Sequence, residues 1–217
     1  MEADGRRYRF ELAVNIGDWG RLGKEYEQNE VMINEGLRIA LSAPTPEQSI
    51  EVLMEYIGQF FNSERAYIFE DMENGTCKNT YEWCANGVEP QKENLQAVPV
   101  EVVSLWYQRF ANGESVIIGN VENIRETDPD VYEYLKPQNI QSLVVSPIIS
   151  EKKIIGFYGV DNLPEKFLYH IAHMLQTLGY FLVSVLRRRN LVRRLEEMCF
   201  LDQLTGIGNR HAMNEAI

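Results

Sequence analysis

The sequence predicts an α+β fold: a central antiparallel sheet of five or six strands, flanking helices, and a long C-terminal coiled-coil helix. Two observations predict it. Apolar residues recur at helical spacing toward both ends of the chain, and short β-rich runs bounded by turn residues fill the middle. The resulting order is helix, two strands, helix, strand, helix, two strands, helix.

Residues 1–23 carry several Gly and no sustained period, and read as an irregular lead. From Lys24 the pattern turns helical through Val31, Ile33, Leu37, Ile39 and Leu41, until Ser42-Ala43-Pro44 stops it. Thr45 then caps a second helix, Pro46 takes its first position, and Gln48 stands where a capping-box partner belongs. Ile50, Leu53, Met54, Ile57 and Phe60 or Phe61 give that helix one apolar face, which needs a sheet to cover it. Arg65 to Asp71 and Lys78 to Ala85 supply two antiparallel strands around the turn Asn74-Gly75. Residues 86–99 read as loop, Val102 to Phe110 as a helix ending near Asn112-Gly113, and Ser115 to Ile118 as a short strand. The acidic stretch Glu122 to Lys136 holds a short helix. Ser142 to Ile149 and Ile154 to Val160 are apolar strands around the turn Ser150-Glu151-Lys152-Lys153.

Over 217 residues, 45% apolar content suffices for a packed core, and a formal charge of -11 argues against a nucleic-acid partner. The charge is uneven, because Arg187, Arg188, Arg189, Arg193 and Arg194 cluster in a basic stalk. Cys77, Cys84 and Cys199 have no C-x-x-C spacing, so neither a disulfide framework nor a zinc site is implied. With no secretory leader evident, a cytoplasmic location is expected. The run from Phe167 to Leu186 is long and apolar enough to suggest a membrane span, but His170, His173 and Gln176 favour a buried helix. His170 and His173 lie one turn apart without an evident third metal ligand.

The element order and the paired strands Ser142-Leu-Val-Val-Ser-Pro-Ile148 and Ile154-Ile-Gly-Phe-Tyr-Gly-Val-Asp161 resemble the GAF domain family over about residues 25–185. Pro147 suits a position that needs no ladder donor, and Gly156 and Gly159 suit close packing over the strand. The resemblance implies a sensory domain (24–185) with a small-molecule pocket between sheet and helices. Its known ligand marks are missing: no Cys precedes a His, as bilin attachment requires, and the cyclic-nucleotide pattern is unmatched around Asn120 to Tyr134. Candidate pocket residues are Tyr67, Phe69, Tyr81, Trp83, Trp106 and Tyr158, with Cys84 and Ser146 as small polar neighbours. They suit stacking on a flat, unidentified ligand, or plain core packing, which half-buried sheets favour anyway. Cys84 lacks the basic neighbour a redox-active thiolate needs.

Leu168, Ile171, Leu175, Leu178, Leu182 and Val185 follow steps of three and four, the seam of a coiled coil, so a homodimer through helix 167–200 is expected. The seam breaks after Arg189, where Leu191, Leu195 and Met198 mark another stripe, and 186–200 reads as a signalling linker. The run D-x-L-T-G-x-x-N-R from Asp202 to Arg210 resembles the start of the GGDEF family of diguanylate cyclases, which condense two GTP into cyclic di-GMP. The resemblance implies structural roles for Asp202, Thr205, Asn209 and Arg210, and a truncated domain start at 201–217. Mg²⁺ and GTP belong to later parts of such a domain, so these residues alone are expected to lack cyclase activity. Two functions from different classes are carried forward: the sensory and dimerisation module of a diguanylate cyclase, and a non-catalytic binding scaffold attached to a degenerate GGDEF domain.

Overall fold

Six strands pair antiparallel in the order β3-β2-β1-β6-β5-β4 in the computed structural model, which describes residues 30–200. The lead at 1–23 and the GGDEF-like start at 201–217, with Asp202, Thr205, Asn209 and Arg210, lie outside the described residues. The strands are β1 (Arg65–Asp71), β2 (Thr76–Cys84), β3 (Val98–Pro99), β4 (Val116–Ile118), β5 (Leu143–Ser150) and β6 (Lys153–Asp161). The sixth strand is β3, a two-residue edge inside the segment read as loop. Pro99 fits there because an edge position needs no donor.

Helices cover both faces of the sheet. On one side lie α1 (residues 30–41), α2 (Pro46–Phe60) and α5 (Leu168–Phe200); on the other lie α3 (Ser104–Ala111) and α4 (Pro129–Leu135). The side chains alternate accordingly. Ala66, Ile68, Val144, Ile148, Tyr158 and Val160 join the α2/α5 core, whereas Tyr67, Phe69, Val145 and Phe157 join the α3/α4 core.

The α2 start behaves as its residues dictate, with the Thr45 hydroxyl accepting from the Gln48 N–H at 3.2 Å. In α1 the buried positions are Met32, Gly36 and Ala40, while Val31 and Leu41 are exposed. The apolar period had suggested otherwise. The helix instead docks through its small residues: Gly36 lies against the Tyr56 ring, and the Ala40 carbonyl accepts from Ser49 Oγ at 2.7 Å.

The long helix is present, but its predicted coiled-coil seam has a different partner. Leu168, Ile171, Leu175, Leu178, Leu182 and Val185 are all buried against the chain's own sheet and α2. A sheet face apolar from Val144 to Val160 offers the same burial that a twin helix would, at about 1.5–3 kcal/mol per Leu or Ile. The basic stalk is also more engaged than its sequence suggests. Arg187 pairs with Glu151, Arg193 with Glu47, and Arg189 bridges bidentate to Glu70 at 2.7 and 2.6 Å. No helix among the described residues is long and apolar enough to cross a membrane.

Candidate functional site

Between the sheet and the α3/α4 layer lies a cavity with about 60 Å³ of room for water centres. Its floor is Tyr67, Phe69 and Phe157. Trp106 from α3, with Val102 and Val103, forms one wall, and Val131, Tyr134 and Leu135 from α4 form another. Phe69 and Phe157 stack with ring centroids 4.9 Å apart, and Trp106 meets Phe157 edge-on at 5.8 Å. These contacts fix an aromatic floor that does not depend on an occupant.

The polar residues of the lining are Arg65, Asn79, Glu82, Gln138 and Asp161, and none of these was singled out from sequence. Arg65 and Asp161 are direct cross-strand partners on β1 and β6. The Arg65 guanidinium donates to the Glu89 carbonyl (3.2 Å) and the Gln138 carbonyl (3.2 Å), tying two loops to the sheet. Its approach to Asp161 is longer, at 3.8 Å. Asp161 accepts from the Tyr67 hydroxyl at 2.8 Å. Burial pushes the Asp161 carboxyl up to about 7, and the Tyr67 hydrogen bond and Arg65 charge only partly offset it. Burial and the neighbouring Asp161 likewise raise the Tyr67 phenol far above its usual range, so it remains a donor. A charged residue at the first position of one apolar strand and at the last of another was the signal available. It becomes informative once the two strands are known to be antiparallel neighbours.

A β-bulge shapes the rest of the lining. Tyr81 pairs with Ile68 but Asn79 pairs with Phe69, so Thr80 is the extra residue on β2. The bulge turns Asn79 onto the cavity face while Tyr81 and Trp83 stay on the opposite one.

Of the residues predicted from sequence, the structure brings Tyr67, Phe69 and Trp106 together in the lining. Tyr81 and Tyr158 belong to the α2/α5 core, and Trp83 packs over Gly58 of α2. Ser146 hydrogen-bonds Ser115 at 2.7 Å beneath α5, and Cys84, opposite Arg65, is outside the lining. The proposed single aromatic set is therefore two sets on two faces, since strand alternation and the Thr80 bulge separate residues that sequence proximity groups. Cys84 is not activated: burial and the Glu82 charge push its thiol up to about 11. Two roomier grooves flank β4, one beside Leu168 and one beside Arg109. Among the described residues no three His, Cys, Asp or Glu side chains converge on a metal site.

Comparison with known proteins agrees with this architecture. Residues 45–186 match the GAF domain. The chain is 31% identical over 121 residues to the methanogenesis regulatory histidine kinase FilI of Methanothrix harundinacea (strain 6Ac), an alignment covering 54% of this chain and 13% of that protein. Among solved structures, a far-red-absorbing dark state with bound biliverdin IXa has a TM-score of 0.63 at 14% identity, covering 73% of this chain and 99% of the other. The GAF domain of an Acinetobacter phosphoenolpyruvate-protein phosphotransferase has a TM-score of 0.59 at 15% identity, covering 77% and 98%. These structural likenesses concern the fold, whereas the family match takes in well over half of the sequence: the chain belongs to the GAF domain family.

Proposed function

We propose that this chain is the sensory and dimerisation module of a signalling protein: a small molecule enters the α3/α4 cavity and α5 carries the effect to a C-terminal output domain. One observation carries the proposal. Strand β1 presents Tyr67 and Phe69 to the cavity and, on its other face, holds Arg189 of α5 through Glu70. A shift of that strand on ligand binding is felt directly by the helix.

The output is a diguanylate cyclase domain, by the resemblance of Asp202 to Arg210 to the start of that family. Two such domains, each with GTP and Mg²⁺, must meet face to face, and a dimer through α5 sets their angle. The regulatory histidine kinase relative supports a second output, phosphorylation of a histidine, on the same sensory plan. Bilins, which some structural neighbours hold, fit poorly: no Cys precedes a His, and a cavity of about 60 Å³ is far smaller than a tetrapyrrole needs.

The test has two parts. A thermal-shift screen of a broad ligand library on this chain, with mass analysis of co-purified molecules, should find a stabilising compound; a flat response across the library refutes the sensory role. The full-length protein, supplied with Mg²⁺ and either GTP or labelled ATP, should yield cyclic di-GMP. Phosphohistidine instead would assign the kinase output, and neither product the scaffold role.

A further inference from the structure

The cavity contains an unused acceptor. Asn79 is 1% exposed and lines the cavity, yet its Oδ1 has no hydrogen-bond partner among the described residues. Every other polar atom of that residue is engaged. Its backbone N–H donates to the Leu95 carbonyl at 2.8 Å, and its carbonyl accepts from Gln96 Nε2 at 3.0 Å. Its Nδ2 donates to Glu82 Oε1 at 3.3 Å. That last contact fixes the amide orientation, since only the nitrogen can face a carboxylate. Glu82 is itself held, accepting at Oε2 from the Gln91 and Lys92 backbone N–H groups at 2.8 and 3.0 Å. The bulge at Thr80 thus sets a fixed, buried carbonyl oxygen beside an aromatic floor. Buried polar atoms in folded proteins are nearly always paired, so an orphan in a cavity points to an absent donor.

The remaining lining restricts what that donor belongs to. Arg65 is the basic residue of the lining, and its guanidinium is already committed to two backbone carbonyls and Asp161. Glu82 and Asp161 add negative charge or acceptor capacity. Among the described residues of the lining no cation is left free for a phosphate or carboxylate, and an anion entering here would meet uncompensated acceptors. Phe69, Phe157 and Trp106 offer flat surface.

Building on the sensory role proposed above, we infer that the cavity takes a flat, uncharged or weakly basic ligand no larger than a single five-membered heteroaromatic ring, which donates an N–H to Asn79 Oδ1. Anionic rings are excluded. Sequence hid this residue because its importance depends on a bulge.

The test uses pyrrole and imidazole, their N-methylated counterparts, and pyrrole-2-carboxylate, titrated into the chain while the Trp106 indole N–H is followed by NMR. The N–H forms should bind, N-methylation should weaken binding at least about ten-fold, and the carboxylate should fail to bind. In Asn79→Leu, and in Asn79→Ser should the first variant not fold, the N–H and N-methyl forms should bind alike. Equal binding of both forms to the unaltered protein overturns the inference, leaving water as the partner of Oδ1, and preferential binding of the carboxylate overturns it too. If none of these rings binds while the broad library screen yields another class, this inference falls and the sensory role stands. If neither binds, both fall.

Discussion

Removing the Arg189 side chain is the sharpest probe of how α5 is attached. Arg189 is 3% exposed and meets Glu70 through two hydrogen bonds of 2.7 and 2.6 Å, with its guanidinium 5.7 Å from the Tyr81 ring centroid. Arg189→Met leaves the Glu70 carboxylate nearly buried and unpaired, a loss of about 3–5 kcal/mol. Because the Glu70 side chain retains 15% exposure, water recovers part of it, and the lower end, about 3 kcal/mol, is expected. For a domain of this size that is a fall in Tm of about 6–12 °C. The double variant Arg189→Met/Glu70→Leu removes both charges and should return to within about 1 kcal/mol of the parent. Urea unfolding of the parent, both singles and the double gives the coupling energy. The pH dependence has a definite sign. Burial raises the Glu70 pKa, but its hydrogen bonds to Arg189 and Thr80 and the Arg189 charge outweigh this and lower it. Its contribution is therefore present above the unfolded value of about 4.3 and is lost as pH falls through the folded value, so the deficit of Arg189→Met should shrink on acidification. A single variant that melts within about 2 °C of the parent, or a double as unstable as the sum of the singles, refutes the buried-pair argument.

Asp161 has the opposite linkage: its folded pKa of about 7 lies above the unfolded value near 3.9, so the stability it adds is full at low pH and is lost as pH rises through about 7. A ¹³C titration of the Asp161 carboxyl should show that midpoint, Asp161→Asn should flatten the slope, and a midpoint below about 5 contradicts the burial argument. Gly156 has φ +149°, and an added Cβ would strike the Phe69 carbonyl of β1, so Gly156→Ala should lose about 3 kcal/mol or more in urea unfolding. A loss below about 0.5 kcal/mol would show that β1 and β6 can part freely. Burial raises the Cys77 thiol to about 12 and the Cys84 thiol to about 11, so in a Cys199→Ser background Cys77 should react with maleimide at pH 7 only as the protein opens, and half-buried Cys84 about 100-fold more slowly than a free thiol. Rapid labelling of folded protein argues against both shifts.

The elements whose signals are local were legible in the sequence. Thr45-Pro46, Asn74-Gly75 and the paired apolar strands around Ser150 to Lys153 each encode their own geometry. In the last turn Glu151 and Lys152 take positive φ of 53° and 64°, as a tight hairpin between twisted strands demands. Gly156 and Gly159 were legible as close-approach positions for the same reason. The cavity was half legible. Tyr67, Phe69 and Trp106 advertise themselves by size, but Arg65, Asn79, Glu82 and Asp161 acquire meaning only through cross-strand neighbours and a one-residue bulge. Period-two alternation carried through Thr80 puts Tyr81 and Asn79 on one face, and the bulge puts them on two.

The seam of α5 was legible as a pattern but not as a partner, because a sheet and a twin helix both reward the same spacing. In the structure the stripe from Leu168 to Val185 is buried in the chain's own core and runs on to Arg189, its last buried position, held through Glu70, while beyond it the Arg193–Glu47 ion pair still reaches α2. Two residues further along a helix is a rotation of about 200°, so Leu191 emerges on a nearly opposite face, where Leu195 and Met198 continue an exposed apolar stripe. The break in the seam is thus the point where the helix stops burying its apolar stripe on its own domain. The proposed dimer through α5 therefore has its apolar stripe at Leu191, Leu195 and Met198, beyond Arg189. Leu191→Cys and Leu195→Cys, in a Cys199→Ser background, should give disulfide-linked dimers under mild oxidation, whereas Leu182→Cys and Val185→Cys should not. Crosslinks at 182 and 185 but not at 191 and 195 would mean that α5 leaves its sheet to pair with the partner, and would overturn this placement of the interface.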